Sequence, residues 1–292
     1  KNSNETYQEF QFDKISIVRN NIEGEIAWQL DSPDARFDQD KKLIKAKKPV
    51  IMLYSQMKPT YDIKADSLTS FNNLDYVVLE GNILIQQIEN QNISIKGDIL
   101  RWDVKKGMMN IENNPIVYSS NSSISSENII FDLSTNYLTF KGDTKSIIIP
   151  NDTINLTNDK LIINSKDTLW ALNTGDLMTN NKVWGERLSD EPANRYDFVG
   201  NSLKANTINN KLNLYTCNVK RVKSINTFAD ECKLSLFVNS EDSQNFQPQK
   251  VNKYIFNKSS SKKEKLEFQS INNRVRSQLN IENLNTSIDL IE

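Results

Sequence analysis

The sequence predicts an all-β protein made of stacked antiparallel hairpins. Short stretches rich in Ile, Val, Tyr and Phe alternate with polar residues and end at clusters of Asn, Asp, Gly or Ser. This is the pattern of half-buried strands that are closed by turns. Sustained helical periodicity is nearly absent before residue 260. Similar hairpins recur at intervals of roughly 30 residues, a period that is typical of stacked repeat architectures.

The individual strands have one apolar and one polar face. Ile26, Trp28 and Leu30 share one face of a strand, and Tyr61 and Ile63 share the corresponding face of a later strand. The hairpin pattern recurs at residues 61–83, 93–111, 124–142, 154–161 and 196–215. A single hairpin cannot bury its apolar face alone, so neighbouring hairpins must stack and the molecule is expected to be elongated.

A pair of a small residue and a polar residue follows the first strand of several copies. The pairs are Ala65-Asp66, Gly97-Asp98 and Gly200-Asn201. Any antiparallel β-protein has hairpins at similar intervals, but this recurring pair favours true repetition.

After about residue 239 the hairpin pattern fades. Residues 240–292 are predicted to be a linker and a tail that is either helical or disordered; the spacing of Ile271, Val275 and Leu279 suits one short helix.

Composition excludes several function classes. The chain has no histidine, so histidine-based catalytic triads, metal sites and proton shuttles are excluded. The formal net charge of -1 argues against nucleic acid as a partner. Two cysteines, Cys217 and Cys232, are compatible with one disulfide or with two free thiols. We expect no catalytic residues, no metal and no cofactor.

No apolar run approaches the length of a membrane span, and the first residues lack the features of a signal peptide. We therefore expect that any targeting or anchoring segment lies upstream of this sequence. Hydrophobic residues make up 37% of the chain, below the roughly 45–50% that is usual for compact domains. This composition indicates a fold with a large surface for its volume, or a disordered part.

The order of several motifs resembles the LptC family of lipopolysaccharide export. The first four are Gly-Glu-Ile-Ala-Trp-Gln-Leu at 24–30, Lys-Pro-Val-Ile-Met-Leu-Tyr at 48–54, Tyr-Asp-Ile-Lys-Ala-Asp at 61–66 and Leu-Glu-Gly-Asn-Ile at 79–83. The likeness continues through Leu-Arg-Trp-Asp at 100–103, Asn-Pro-Ile-Val at 114–117, Phe-Asp at 131–132 and Leu-Thr-Phe-Lys-Gly at 138–142. It covers about residues 5–165, and the order of the motifs is more specific than any one of them.

The resemblance implies a twisted, open β-jelly roll whose two sheets enclose an apolar trough for acyl chains. It implies a non-enzymatic bridge protein of the periplasm, tethered to the inner membrane by an N-terminal anchor that this sequence lacks. The implied partners are lipopolysaccharide, an LptA-like bridge protein and an LptF/LptG-type permease with its ATPase. We expect a jelly roll at residues 5–174 and an extension of its β-repeat at 175–239, as in the long cyanobacterial members.

Lipid tails need a wall of apolar side chains, so the alternating apolar faces are the candidate site. The predicted lipid-binding residues are Trp28, Leu30, Val50, Met52, Tyr61, Ile63, Leu79, Ile83, Ile95, Trp102, Ile111, Phe131 and Phe140. Ordinary core packing is the alternative for each of them. Gly24, Gly81 and Gly142 are predicted to permit strand pairing or partner docking, with an ordinary turn as the alternative.

Two other functions compete with lipid export. An adhesin-like β-repeat surface protein would have polar interiors and no affinity for lipid. A β-helical polysaccharide-active enzyme would need clustered acids and more regular rungs.

Overall fold

The computed structural model describes residues 9–38, 41–72, 74–89, 93–120, 122–149, 160–189, 195–206, 211–221, 225–235, 266–269, 274–281 and 284–291. All regular secondary structure in these residues is β-strand, which confirms the predicted all-β class. The chain divides into two compact units, Lys1–Leu138 and Thr139–Glu292. Among the described residues there is no helix long and apolar enough to cross a membrane.

Among the described residues, fourteen strands lie in the first unit, and a fifteenth begins there and continues into the second. They are β1 (Glu9–Phe12), β2 (Ile15–Asn20), β3 (Ile26–Ser32), β4 (Asp34–Asp38), β5 (Leu43–Lys47), β6 (Val50–Ser55), β7 (Lys58–Lys64), β8 (Ser67–Phe71), β9 (Tyr76–Gln87), β10 (Ser94–Asp103), β11 (Met108–Glu112), β12 (Ile116–Tyr118), β13 (Ser122–Ser125), β14 (Asn128–Asp132) and β15 (Tyr137–Ile148).

Antiparallel pairing arranges the strands of the first unit in two rows. The first row runs β2, β3, β6, β7, β9, β10, β12, β13. The second row runs β1, β4, β5, β8, β9, β10, β11, β14. The long strands β9 and β10 belong to both rows, with one half of each strand in each row. The two rows are therefore two layers of one folded sheet, joined along β9 and β10.

The layers are joined at a corner, which we define as the line where the long strands bend. In β9, residues 76–80 pair with β8 and residues 84–87 pair with β7. Between these halves Gly81 and Asn82 have φ values of 79° and 46°. This left-handed region is open to glycine and tolerated by asparagine, so the sequence permits a sharp bend here. In β10 the register shifts between Gly97 and Ile99 at the same level.

Hydrogen bonds connect neighbouring strands along the corner. The Asp66 N–H donates to the Gly81 carbonyl at 2.9 Å, and the Lys48 N–H donates to the Asp66 carbonyl at 2.8 Å. The Asn82 side-chain amide donates to Asp66 Oδ2 at 2.7 Å. The recurring pairs Ala65-Asp66 and Gly97-Asp98 lie at this corner. The repeated sequence signal therefore marks the places where the chain passes from one layer to the other.

The second unit has the same plan. Its further strands are β16 (Lys160–Ala171), β17 (Asp176–Thr179), β18 (Val183–Leu188), β19 (Tyr196–Gly200), β20 (Ser202–Asn206), β21 (Lys211–Arg221), β22 (Ile225–Ser235), β23 (Leu266–Gln269), β24 (Arg274–Ile281) and β25 (Leu284–Ile291). One row contains β16, β18, β19, β21, β22, β24 and β25. The other contains β16, β17, β20, β21, β22 and β23. Asp167 and Thr216, with φ of 46° and 47°, mark the bends in β16 and β21.

The predicted C-terminal helix is wrong for the residues that the structure describes. Val275 and Leu279 lie in β24, which pairs with β22 and β25; Ile271 lies outside the described residues. Residues four apart lie on the same face of a strand as well as of a helix, so this spacing does not distinguish the two. The apolar face of a helix would also include the i+3 positions, but these are the polar Arg274 and Gln278. The boundaries predicted near residues 174 and 239 stay predictions.

We predict that Gly81→Ala lowers the free energy of unfolding by about 2 kcal/mol. Alanine at this position would have to adopt the same left-handed φ, and its Cβ would lie 2.5 Å from Asp66 Oδ2. Urea denaturation measures the effect. Gly24→Ala is the matched control, because Gly24 has a φ of 84° but no atom within 4 Å of the place that a Cβ would occupy. An equal loss in the two variants would show that the contact with Asp66 adds nothing.

Candidate functional site

The candidate site is the space between the two layers of the first unit. The strands alternate buried and more exposed residues, so one face of each layer points inward. Ten of the predicted lipid-binding residues are buried in this unit: Trp28, Leu30, Tyr61, Ile63, Leu79, Ile83, Ile95, Trp102, Ile111 and Phe131. Phe140 is also buried, on the part of β15 that belongs to the second unit.

Val50 and Met52 are the exceptions among the predicted residues. They are half-buried and lie on the opposite face of β6, where Ile51 and Leu53 are the buried pair. Ile51 is opposite Leu30 in one neighbouring strand and opposite Ile63 in the other, which places it on the inner face. The inner face of β6 therefore carries Ile51 and Leu53 in place of the pair predicted from the sequence.

Aromatic side chains from the two layers contact each other in the space between the layers. Trp28 of the first row contacts Trp102 of the second, with ring centroids 5.6 Å apart in an edge-to-face arrangement. Tyr61 of the first row contacts Phe131 of the second at 5.2 Å, also edge to face. Leu30, for example, has no exposed surface. The middle of the interior is thus filled by its own side chains in this structure.

The interior is accessible at the end formed by β1 and β2, which we call the mouth. Phe12 is opposite Ala35, a buried residue of the inner face, so Phe12 faces inward too. Phe10, two residues earlier, shares this face. Phe10 and Phe12 are 44% and 45% exposed. Ile17 of β2 is opposite the buried Leu30 and continues the apolar surface in the other layer.

The edges of β1 and β2 are unpaired on one side within the described residues. β1 pairs with β4, and β2 pairs with β3, with no second partner for either strand in this part of the chain. Each strand therefore presents a row of backbone groups on its outer side.

Phe10 and Phe12 were not among the residues predicted from the sequence, although their i, i+2 spacing was a usable signal of a strand face.

The layers also meet at the strand ends remote from the corner, which we call the free margin. Here Arg19 Nη2 of the first row lies 3.0 Å from Asp75 Oδ1 of the second. The Tyr61 hydroxyl donates to Asn136 Oδ1 at 3.1 Å, in the turn after β14. Burial raises the pKa of Tyr61 to about 12, because it penalises the phenolate. Tyr61 therefore stays a neutral donor near neutral pH.

Asp75 forms ion pairs with two cations at the free margin. Hydrogen bonds from Lys105 and Arg19 hold the pKa of its carboxyl group below the ordinary value of 3.8. Lys105 Nζ lies 2.7 Å from Asp75 Oδ2. Both cations are partly exposed, so solvent screens these ion pairs and each contributes little to stability. The sequence carries no local signal for this contact, because Arg19 and Asp75 are 56 residues apart.

The three glycines predicted for pairing or docking all have left-handed φ. Gly24 lies in the turn between β2 and β3, and Gly81 lies at the corner of β9. Gly142 lies in β15, and its N–H donates to Asp167 Oδ1 at 3.2 Å. A conformational role thus has direct support at each position. Their role in partner docking stays a prediction.

The predicted disulfide concerns the second unit. Cys217 of β21 is buried and is not a free thiol. The bend at Thr216 interrupts the alternation, so that Leu214 and Cys217 are both buried. Cys232 of the adjacent strand β22 is opposite Leu214 in the register. In the same register Cys217 is opposite Ala229, so the two cysteines lie in adjacent strands but not opposite one another. The predicted pairing is supported by the bonded state of Cys217.

Comparison with known proteins identifies a family for the first unit. The family model described as LptC, lipopolysaccharide-assembly, LptC-related, matches residues 1–148 of the chain. A search of curated proteins gave no match. The matched residues include all of β1–β15, and therefore both layers, the corner, the mouth and the free margin.

We predict that the contribution of Asp75 to stability is lost in acid. Because its pKa is lowered in the folded state, the stabilisation is complete above the unfolded-state pKa and disappears as pH falls through the folded-state pKa. Urea denaturation of the wild type and of Asp75→Asn should therefore differ at neutral pH and converge as the pH falls below the ordinary carboxyl pKa of 3.8. A difference that does not depend on pH would contradict this assignment.

We predict that Cys217 and Cys232 are oxidised in protein from an oxidising compartment. Cys232→Ser should then lower the free energy of unfolding by about 3 kcal/mol, the loop-closure value for a disulfide with this spacing. Thiol titration in denaturant, with and without reductant, measures the redox state. Two titratable thiols in unreduced, fully denatured protein would contradict the pairing.

Proposed function

Because this chain belongs to the LptC-related family of lipopolysaccharide-assembly proteins, we propose that it is a lipid-carrying scaffold of the export bridge. The family is a periplasmic, non-enzymatic component of the lipopolysaccharide transport machinery. We propose that this chain accommodates acyl chains between the layers of its first unit. It would link the inner-membrane LptF/LptG-type permease, which works with its ATPase, to an LptA-like bridge protein.

The mouth is the structural feature that supports this proposal most directly. An apolar inner face that is closed by packing in the middle of the unit becomes accessible at Phe10 and Phe12. The same end presents the unpaired edges of β1 and β2. A like-folded partner that added its own strands to these edges would satisfy their backbone groups and continue the apolar inner face. Acyl chains could then pass between proteins without exposure to water.

Passage of a lipid through the unit requires the layers to separate at the free margin. The ion pair, the hydrogen bond from Tyr61 to Asn136 and the two aromatic contacts across this margin are each worth on the order of 1 kcal/mol. An acyl chain gains roughly 0.8 kcal/mol for each buried CH₂ group. A chain of a dozen carbons therefore gains on the order of 10 kcal/mol, more than these contacts together. While the layers are separated at the free margin, strand pairing through the corner would keep them connected.

The two rival functions predict different interiors. An adhesin-like repeat would have a polar interior, whereas the inner faces of the first unit carry Trp, Leu, Ile and Phe. A polysaccharide-active enzyme would need carboxylates set across a cleft. Asp75, a carboxylate that connects the two layers, is ion-paired with Arg19 and Lys105. These observations favour the lipid scaffold. A membrane tether at the N-terminus remains part of the proposal.

We predict that photo-crosslinkers placed at Phe10 and Phe12 capture lipopolysaccharide in cells that are exporting it, because both side chains are inward and accessible. Crosslinkers at the buried Ile63 and Trp102 should capture it when the layers separate. Immunoblotting for slowly migrating, lipid-bearing protein measures the yield.

Val18 is the matched control at the mouth, since it is apolar and 51% exposed but next to the inward Ile17 on the opposite face of β2. Lys64 and Asp103 are the corresponding controls beside Ile63 and Trp102. Equal yields from inward and outward positions would rule out a lipid path between the layers.

A further inference from the structure

Two hydrogen-bond donors lie buried in the apolar interior of the first unit with no acceptor in the part of the chain that the structure describes. Ser70 has no exposed surface and Trp102 is 2% exposed. Within the described residues, neither Ser70 Oγ nor Trp102 Nε1 has a hydrogen-bond partner. A buried donor without an acceptor costs about 1–3 kcal/mol, and such groups in native proteins are rare. Two of them in one interior call for a functional explanation.

The strand register places the two donors in one row across the sheet, on either side of Val77. Ser70 of β8 and Trp102 of β10 are both opposite Val77 of β9, one on each side. Residues that are opposite one another in an antiparallel sheet point to the same face. Val77 is buried, so all three side chains belong to the inner face of the second row. The backbones of β8 and β10 are roughly 10 Å apart, twice the strand spacing, and the large indole covers part of that distance.

The position of the donors matches the boundary between the polar and apolar parts of an amphiphile. Trp102 contacts Trp28 at the free margin, and Asp75 with its cations lies in the turn just before β9. A lipid that entered through this margin would place its acyl chains inside and its headgroup outside. The carbonyl groups that join acyl chains to the headgroup would then lie at the level of Ser70 and Trp102.

We infer that Ser70 and Trp102 form a donor site for the carbonyl oxygen of an acyl ester or amide, an inference that rests on the proposed lipid-carrying function. The indole N–H can only donate, so the complementary group is an acceptor and not a cation. A carbonyl oxygen has two lone pairs and can accept from more than one donor. The site would thus distinguish acylated lipids from amphiphiles whose chains lack a carbonyl.

The second unit contains a similar donor. Trp170 of β16 is buried, and its Nε1 also has no hydrogen-bond partner among the described residues. It lies three residues after the bend at Asp167, much as Trp102 follows the bend of β10 near Gly97. The buried, unbonded indole therefore recurs at a comparable place in the repeat, which is expected of a functional feature.

The test compares two amphiphiles with the same chain length and disaccharide headgroups, dodecanoyl sucrose and dodecyl maltoside. Binding to the whole chain is measured by equilibrium dialysis below the concentrations at which micelles form. We expect the wild type to bind the ester roughly 3- to 10-fold more tightly, the effect of one hydrogen bond. Ser70→Ala should remove this preference without weakening the binding of the maltoside. It should not lower the unfolding midpoint, because the lost hydroxyl has no hydrogen-bond partner within the described ranges.

Ser122→Ala is the matched control. Ser122 is another buried serine, but its hydroxyl bonds to that of Ser119 at 2.6 Å. This variant should lose stability and keep the preference for the ester. As a direct readout, the indole N–H resonance of Trp102, identified with Trp102→Phe, should shift with the ester and not with the maltoside. The exposed Trp184 provides an internal reference.

The possible failures are distinguishable. If the wild type binds both amphiphiles equally, or if Ser70→Ala keeps the preference, the donor site is refuted while the lipid-carrying function stands. A loss of stability in Ser70→Ala with unchanged preference would identify a structural water as the acceptor and would also refute the site. If the wild type binds neither amphiphile, the proposed function and the inference fail together.

Discussion

The bend of the long strands at the corner is the constraint on which the rest of the first unit depends. A hairpin with one apolar face needs a second apolar face against it, and β9 and β10 supply both faces by passing from one layer to the other. The left-handed backbone at Gly81 and Asn82 makes this bend possible. Because the bend lies at one level in successive strands, their inner faces coincide and form one interior.

The corner and the free margin hold the layers together by different means. At the corner the layers share strands, and the backbone bonds of Asp66 add to this connection. At the free margin the connection consists of side-chain contacts such as Trp28 with Trp102 and Arg19 with Asp75. Separation of the layers therefore costs least at the free margin. This asymmetry gives the unit a natural direction of opening without any break in its strand ladders.

The distribution of polar groups follows the same geometry. Charged groups at the free margin face water, apolar side chains fill the space between the layers, and Ser70 and Trp102 lie between these regions. An acylated lipid has the same sequence of charged headgroup, carbonyl groups and hydrocarbon. The mouth at β1 and β2 adds accessible apolar surface to unpaired strand edges. The proposed transport function needs both features at one end of the unit.

The sequence by itself determined the all-β class and the family, because period-two alternation, turn residues and motif order are local properties. It also showed the recurring pairs, but only the structure showed that they mark bends. Only the tertiary structure decided which face of β6 points inward, since Val50, Ile51, Met52 and Leu53 are all apolar and only pairing with neighbours distinguishes them. It also decided that Val275 lies in a strand, and that the Ser70 hydroxyl has no hydrogen-bond partner among the described residues. These outcomes depend on contacts between residues distant in sequence, which local periodicity does not encode.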